Sequence, residues 1–565
     1  MFETFLYTLF LLTLFIPFSH FLKGTFEPSL YSFSKQLIFA TIVLSFLSMI
    51  LNFFFPLNKL VNSIILIFSI LILFKKREIY FTKKFAFFLI LQALLISILI
   101  TESNVYRPDA GLYHLPYIGI LNSEKIILGL SNLHFRYGHS SILQYLAAIS
   151  NNFLIKDPGI VFAPAIIAVS VIINFTYLIY ISILKKNYNF HFYFLFFVFI
   201  YISYKMNRYS EYGTDAPAHF LFFFLISELI LFFKKANNDI IINNLILTLF
   251  IIQNKIFLLP VLIFNYFSIS KINYKTLIFE KNFYFLTIFF LIWLLNNALT
   301  TGCLLFPVSI TCFEMLPWTD LKVVNEQAIN GEIWSKGWST LSEKMKEEIG
   351  GPLNFKNNFN WLNIWTKTHF LIILKILAPY IVFIILIIIF FIYNSKKNLR
   401  IVNNETDNTR YEKYFIVFAF VGFLFWFLKA PIYRYGYSFI ISFVSLYSAY
   451  FLSSKIINKK VITTTAIAIL FIGYSVIFFK NQLRINNSKN TYNNYPWPKY
   501  LSMDETNELT DFEIVDLKYK KIYVPQNGYC MYTQNICSHY QVDSNLRINK
   551  IGYYYYFYNN LLENK

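Results

Sequence analysis

Two polar runs between residues 107 and 149 interrupt a largely apolar chain: R-P-D-A-G-L-Y-H-L-P-Y, from Arg107 to Tyr117, and G-L-S-N-L-H-F-R-Y-G-H-S-S-I-L-Q-Y-L-A-A-I, from Gly129 to Ile149. Their acidic and basic side chains are Arg107, Asp109, His114, His134, Arg136 and His139. Apolar runs of spanning length precede and follow this segment. We therefore interpret it as a polar segment at the surface of a membrane protein, and as the first place to look for chemistry.

Composition places the chain among membrane proteins. Hydrophobic residues make up 57% of the chain, charged residues only 14%, and the mean hydropathy is positive, which lies outside the usual range of soluble domains. A hydrocarbon core of roughly 30 Å needs about 20 apolar residues per helix, and runs of that length recur along the chain. We expect an all-α polytopic membrane protein with about 14 transmembrane helices.

The net charge of +19 comes largely from Lys and Arg residues in short loops between the apolar runs. Such loops are typical of the cytoplasmic side of a membrane protein, so nucleic acid is not an expected partner. Threading the chain through these loops predicts four segments on the opposite side: 102–158, 205–213, 300–368 and the region after about residue 480. The lipid bilayer is thus the first expected partner.

This threading also predicts three domains. Residues 1–83 form N-terminal transmembrane helices, and residues 84–480 form a transmembrane core with outer loops 102–158 and 300–368. Residues 481–565 lack a spanning run but alternate in places, so we expect a small extracytoplasmic α+β domain there. The run 240–268 is either one long helix or two short ones broken near Lys255, and charge balance favours two.

All four cysteines lie in segments assigned to the outer side, and they are Cys303, Cys312, Cys530 and Cys537. Close spacing favours the pairs Cys303–Cys312 and Cys530–Cys537 among three connectivities, which an oxidising compartment would permit. Four unpaired structural thiols are the alternative. Neither spacing is that of a metal site.

Asp109 precedes an apolar helix, so it is a candidate N-cap as well as a candidate catalytic acid or base. Tyr113 and His114 follow one turn later and are candidate substrate-binding residues. His134 and Arg136 lie in a glycine-bounded loop and are candidates for binding a phosphate, although interfacial polar residues facing lipid headgroups are an equally simple interpretation. The short helix after them is expected to lie along the membrane interface.

A second acidic group lies in R-Y-S-E-Y-G-T-D-A-P-A-H, residues 208–219. Asp215 is a candidate catalytic residue and Glu211 a candidate substrate-binding residue, although Thr214 or Asp215 would also serve as a helix cap before Pro217. If Asp109 and Asp215 share one face, they could hold a divalent cation such as Mg²⁺ or Mn²⁺. The sequence leaves the use of a metal open.

Arg434 lies in a tight outer turn between two spans, where an arginine is costly unless it is paired. It is a candidate binding residue for an anionic phosphate, and a snorkelling interfacial arginine is the alternative. Tryptophans in the preceding outer loop, such as Trp334 and Trp361, form either an interface belt or a sugar-stacking surface, and the belt is favoured for most of them.

Several motifs together resemble the GT-C superfamily of integral-membrane glycosyltransferases, and more closely a bacterial multi-pass branch allied to it. They are D-A-G-L-Y-H-L-P-Y-I (109–118), G-L-S-N-L-H-F-R-Y-G-H-S-S (129–141), G-T-D-A-P-A-H (213–219), T-G-C-L-L-F-P-V-S-I-T-C-F (301–313) and A-P-I-Y-R-Y-G (430–436). Asp109 matches the loop acid of that superfamily. An acidic pair is common there, but here Ala110 follows Asp109, which puts metal dependence in doubt.

The resemblance implies a GT-C-like fold and transfer of a sugar from a polyprenyl-phosphate donor to a lipid, glycan or protein acceptor. It also implies a place in the bacterial inner membrane with the active face towards the periplasm. Two other classes remain open: a polytopic transporter or flippase, and a non-catalytic partner in envelope polysaccharide export. Convergence of Asp109, Asp215 and Arg434 at one outward-facing cavity would favour the enzyme.

Overall fold

The computed structural model describes residues 2–22, 29–100, 109–153, 157–207, 212–233, 237–394, 407–487, 511–533 and 535–560. Arg107 and the candidate binding residue Glu211 lie outside these ranges, so what we expect of them stays a prediction.

The N-terminal part of the chain contains five helices, of which three begin after a capping side chain. They are α1 (Phe2–Phe15), α2 (Leu30–Phe54), α3 (Lys59–Lys75), α4 (Arg77–Tyr80) and α5 (Lys83–Leu99). A 3₁₀ segment, Ile16–Leu22, continues α1. The side chains of Ser29, Asn58 and Thr82 accept backbone hydrogen bonds at the starts of α2, α3 and α5, which satisfies amides that the helix itself leaves unpaired.

Residues 109–153 belong to the first segment that we predict to be outer, and they fold into short helices. After a π-helical turn, Ala110–His114, come α6 (Leu115–Ser123), α7 (Leu130–Leu133), a 3₁₀ turn, Phe135–His139, and α8 (Ile142–Ala148). Ser141 and Gln144 form a capping box that starts α8. Every residue of α8 is buried, so this helix belongs to the protein interior, and our expectation that it lies along the lipid interface is wrong. Its apolar residues pack against protein.

The central part of the chain contains six helices, together with a 3₁₀ turn, Asp157–Val161, and a 3₁₀ segment, Ile256–Asn265. The helices are α9 (Phe162–Leu184), α10 (Phe190–Lys205), α11 (Asp215–Phe232), α12 (Asn238–Asn254), α13 (Tyr266–Ile269) and α14 (Tyr274–Leu277). Lys255 has an extended backbone between α12 and the 3₁₀ segment. The run 240–268 is therefore broken into two parts at Lys255.

The second outer segment lies between two long helices, α15 (Lys281–Thr301) and α20 (Leu371–Tyr393). It contains α16 (Leu321–Ser335), α17 (Glu343–Ile349), α18 (Pro352–Lys356) and α19 (Leu362–Trp365), with 3₁₀ turns at Ser309–Thr311, Trp338–Thr340 and Asn357–Phe359 and a π-helical turn at Thr366–Phe370. Three more helices follow: α21 (Asp407–Lys429), α22 (Tyr433–Ser453) and α23 (Lys459–Asn487).

The C-terminal tail contains β1 (Phe512–Asp516), β2 (Lys521–Pro525), β3 (Ile536–Cys537), β4 (Leu546–Ile551) and β5 (Tyr554–Asn559). Strand β2 pairs with β1 antiparallel and with β3 parallel, while β4 and β5 form a separate antiparallel pair. The predicted strands are thus confirmed. Residues 511–533 and 535–560 hold strands and turns, and not the helices that an α+β domain would add.

Nine helices among the described residues are long and apolar enough to cross a membrane, so the chain is a helical polytopic membrane protein. The count of about 14 is not reached, because α3, α5, α10 and α12 have only 16 or 17 residues and 256–269 is largely 3₁₀. The most apolar windows of α2 and α11 are 78% and 72% buried, against 22% for α21. The first two therefore lie in the core, and α21 at the periphery.

Candidate functional site

Asp109 and Arg434 form an ion pair between the first outer segment and the start of α22. Arg434 Nη1 donates to Asp109 Oδ2 at 2.6 Å, across 325 residues of sequence. Asp109 has helical backbone angles and makes no side-chain capping bond at the π-helical turn. Capping therefore does not explain this aspartate, and its carboxylate is engaged by a distant cation instead.

Asp215 joins the same pair from a third part of the chain. It is the first residue of α11, and its Oδ2 lies 3.9 Å from Arg434 Nε. The ammonium of Lys255 bonds to its other oxygen, Oδ1. The predicted helix start is correct, but Thr214 makes no side-chain cap. We call Asp109, Asp215, Lys255 and Arg434 the acid–base cluster.

The acid–base cluster is partly accessible to solvent, and we call the solvent-filled space beside it the recess. Of the Asp215 side chain, 29% is accessible, and the neighbouring His114 is partly exposed. Asp109 and Arg434 are likewise 35% and 36% accessible. These charged groups are therefore open to solvent, as residues that bind a substrate must be.

The electrostatics of this recess keep Asp109 ionised. Burial alone would raise the pKa of Asp109, but the charge of Arg434 and its hydrogen bond outweigh burial and hold that pKa below its usual value. Tyr113 adds a side-chain hydrogen bond in the same direction. Burial lowers the pKa of His114 to about 4. At neutral pH the recess therefore presents a carboxylate beside an uncharged imidazole.

Aromatic rings border the cations of the cluster. The Arg434 guanidinium lies 5.4 Å from the ring centroids of Trp334 and Tyr435, and Lys255 Nζ lies 3.9 Å from that of Tyr435. Trp334 belongs to α16 and thus brings the second outer segment to the recess. Trp334 therefore borders the acid–base cluster, and its position is not explained by a belt of aromatic residues facing lipid. Cation–π contacts of this kind hold a cation in place without neutralising it.

His219 contacts the backbone of Arg434. Its Nε2 donates to the backbone carbonyl oxygen of Arg434 at 2.9 Å, and its ring lies 3.8 Å from that of Tyr437. His219 is fully buried one turn after Asp215. It therefore joins the two helix starts that carry Asp215 and Arg434, and fixes their separation.

His134 and Arg136, predicted to bind substrate, lie elsewhere. His134 is buried, and its Nε2 is 2.8 Å from Nδ1 of His539 in the C-terminal tail. The Arg136 guanidinium stacks over Tyr113 and Phe135, at 5.5 and 4.8 Å. The structure thus places His134 in the contact with the tail. Arg136 contacts the ring of Tyr113, which in turn hydrogen-bonds to Asp109.

Both predicted disulfides are present. Cys303 pairs with Cys312, and Cys530 with Cys537. The first closes the loop that carries Phe306, whose ring lies 5.0 Å from that of His139. The loop therefore packs against the first outer segment beside the recess. The interpretation with four free thiols is excluded.

A divalent cation fits the acid–base cluster poorly. The two carboxylates face Arg434 and Lys255, so the four charges already balance. Across the described ranges, no group of three or more His, Cys, Asp or Glu residues is arranged to hold a metal ion. Asp109 and Asp215 therefore find their counter-charges within the protein.

Sequence reasoning missed Lys255 and Tyr435 as members of the site. The break at Gln253-Asn254-Lys255 was visible as an interruption of an apolar run, and a lysine at such a break needs a partner. No sequence pattern indicated that Tyr435 belongs to the site, apart from its position next to Arg434.

One family model matches this chain, over residues 1–441, and its description is Domain of unknown function (DUF8201). No curated protein and no solved structure matches the chain. The matched region includes all four residues of the acid–base cluster and ends before the C-terminal tail. Since the match covers well over half of the chain, this protein belongs to the DUF8201 family.

Proposed function

We propose that this protein is a membrane glycosyltransferase that moves a sugar from a polyprenyl-phosphate carrier to an envelope lipid, glycan or protein acceptor. The observation that carries the proposal is the convergence of Asp109, Asp215 and Arg434 in one accessible recess. Accessible charged groups that come together from distant segments are typical of catalytic sites. The resemblance to GT-C enzymes supplies the reaction class.

In this reaction the acceptor oxygen bonds to the anomeric carbon of the sugar while the bond from that carbon to the carrier phosphate breaks. The bonding electrons leave with the phosphate, and the acceptor proton passes to Asp109. An ionised Asp109 is required for this step, and Arg434 favours the ionised form because it holds the pKa of Asp109 below its usual value. Arg434 and Lys255 hold the two carboxylates apart and oriented, which limits reorganisation during the reaction.

The same resemblance also suggests the fold, the membrane and the orientation of the protein. We infer a GT-C-like core in a bacterial inner membrane, with about 14 crossings if the shorter helices also span, and with the recess towards the periplasm. Two disulfides support an oxidising compartment on that side. The contacts among segments 109–153, 302–365, 430–434 and the tail are consistent with a single outer face.

The test is incubation of the purified protein with a panel of radiolabelled polyprenyl-phosphate sugars and a total envelope-lipid extract. Transfer of label from at least one donor to an acceptor is expected, and heat-denatured protein should give none. Absence of transfer and of donor hydrolysis across the panel, with protein that is folded by thermal shift, would count against the enzyme.

A buried ion pair near the ends of two spans favours a transporter or flippase as the second candidate. Lys35 Nζ lies 2.5 Å from Glu228 Oε2, and Tyr31 donates to the other oxygen of Glu228 at 2.7 Å. Glu228 is only 1% exposed, and ionised groups inside membrane spans often mark transport pathways. Lipid scrambling in proteoliposomes that Glu228→Gln abolishes and Asp109→Asn leaves intact would favour this alternative.

A further inference from the structure

A second group of charges lies in the other outer segment, and it is not balanced. Glu332 of α16 is surrounded by Lys336, one turn later, Lys356 at the end of α18, and Lys429 at the end of α21. Their Nζ atoms lie 2.6, 3.1 and 3.8 Å from the Glu332 carboxylate oxygens. We call these three lysines the lysine group. Within the part of the chain that the structure describes, three ammonium ions share one carboxylate, which leaves an excess of two positive charges.

The excess charge is costly where it lies. The Lys336 side chain is 3% exposed and Glu332 13%, and Lys336 Nζ is 4.8 Å from the ring centroid of Trp361. Burial lowers the pKa of Lys336, Glu332 opposes this effect, and the charges of Lys429 and Lys356 add to it. One carboxylate therefore does not compensate the charge that has been buried, and another anion would stabilise the group.

The lysine group is open to such an anion. The Lys429 side chain is 56% exposed and that of Lys356 30%, so two of the three ammonium ions can be reached from solvent. Lys429 ends the span Tyr411–Lys429, and the span Leu362–Tyr393 begins just after Trp361. The group is thus at the end of two spans, at the depth where lipid phosphates lie and where tryptophans are enriched.

A group of charges that served only to stabilise the fold would need fewer cations for its one carboxylate. Lys346 in the same segment shows the balanced form, with one ammonium 2.7 Å from one carboxylate, that of Glu343. The acid–base cluster is balanced as well. Among these groups on the outer segments, only the lysine group combines several ammonium ions, partial accessibility and uncompensated charge. Phosphate is the anion whose charge and oxygen geometry suit such a group.

We propose that the lysine group binds a phosphate group at the membrane surface, supplied either by a lipid headgroup or by free phosphate or pyrophosphate. Lys356 and Lys429 contact the incoming phosphate, while Lys336 holds Glu332 in place beneath it. This inference does not depend on sugar transfer, because it concerns binding alone.

The test measures phosphate binding by the full-length protein in detergent, using native mass spectrometry and thermal shift. The probes are dioctanoyl phosphatidylglycerol, dioctanoyl phosphatidylcholine and inorganic pyrophosphate. Retention of phosphatidylglycerol with pyrophosphate unbound identifies a lipid headgroup as the source, and binding of pyrophosphate identifies free phosphate. The double variant K356Q/K429Q should weaken binding by about tenfold or more for each ammonium lost. The matched control K346Q should bind as the wild type does.

A further variant tests whether the Glu332 carboxylate competes with the phosphate for the lysine group. Glu332→Gln removes the competing carboxylate, so the phosphate probe should bind at least as tightly and should raise the Tm more than it does in the wild type. Equal binding by wild type and K356Q/K429Q, an equal loss in K346Q, or an E332Q protein that no anion stabilises would each overturn the proposal.

Discussion

At the scale of single residues, Asp109 differs from an ordinary aspartate at a helix start in what its carboxylate contacts. It bonds to Arg434 and receives a hydrogen bond from Tyr113, and it caps no helix. The neighbouring Ala110 is buried, with 1% exposure. A second acid at that position would place a carboxylate in the protein interior, which is costly. The packing around Ala110 therefore favours a single acid here.

Asp109→Asn should keep the fold and abolish most activity. Asparagine can still accept the hydrogen bond from Arg434 but is a far weaker base, so transfer should fall by about two to four orders of magnitude. Activity on the donor panel and the Tm are the measurements. Asp543→Asn is the matched control, because Asp543 is an exposed turn residue whose Oδ1 accepts from the Asn545 amide at 2.9 Å. Full activity in D109N would remove Asp109 from the mechanism.

Arg434→Gln should change the pH dependence of the remaining activity. In the wild type Arg434 holds the pKa of Asp109 below its usual value, so Asp109 stays ionised as the pH falls from 7 to 5. Without that charge, burial is the dominant influence and raises the pKa of Asp109. The acidic limb of the rate profile should therefore move to higher pH in R434Q.

The same Arg434 pairing has a consequence for stability. A carboxylate whose folded pKa is depressed stabilises the fold above its unfolded pKa of about 3.9, and this contribution is lost as the pH falls through the folded value. Burial of neutral His114 also destabilises the fold below about pH 6.5. The Tm must therefore be measured at each pH, so that unfolding is not mistaken for a change in activity. An acidic limb at the same pH in both proteins would show that Arg434 does not control Asp109.

At the scale of elements, the two disulfide-closed loops differ in accessibility. Cys312 is partly exposed, whereas Cys303, Cys530 and Cys537 are fully buried. After mild reduction of intact cells, an impermeant maleimide should therefore label Cys312 first, and the other three only after unfolding. Mass spectrometry of tryptic peptides gives the order. Labelling of Cys312 only in inverted vesicles would reverse the proposed orientation.

Most helices could be predicted from apolar periodicity and length, and the start of α11 from Pro217 beside Asp215. The burial of α8 could not, because Ile142–Ala148 is equally apolar for a lipid interface and for a protein interior. Its burial involves distant contacts, such as the hydrogen bond that Ser141 Oγ donates to Asn254 Oδ1 across a sequence separation of 113 residues. Contacts of that kind leave no local pattern.

At the scale of the whole molecule, proximity of Asp109, Asp215 and Arg434 could be predicted once the loops were threaded to one side. The role of the tail could not. Nothing around His134 indicates that its partner is His539, because a histidine in a glycine-bounded loop is suited to ligand and protein alike. The tail instead covers the first outer segment, and Leu128 forms a parallel bridge with Tyr556.

The tail also makes direct contact with the turn that carries Asp109. The amide of Met531 donates to the carbonyl of Gly111 at 2.9 Å, and the hydroxyl of Tyr532 donates to Asn122 at 2.8 Å. Gly119 lies between these contacts, and a Cβ there would be 2.1 Å from the backbone oxygen of Thr533. Glycine is therefore required for the close approach of tail and α6.

Gly119→Ala should separate the tail from α6 and disturb the recess. Overpacking against a backbone atom costs roughly 1–3 kcal/mol, so we expect a lower Tm, faster proteolysis within the tail and reduced transfer activity. Gly331→Ala is the matched control, since no atom lies within 4 Å of its added Cβ and alanine favours the helix α16. If G119A loosens the tail and activity is unchanged, the tail only covers the site. If activity falls in step with protease sensitivity, docking of the tail holds the Asp109 turn in its working position.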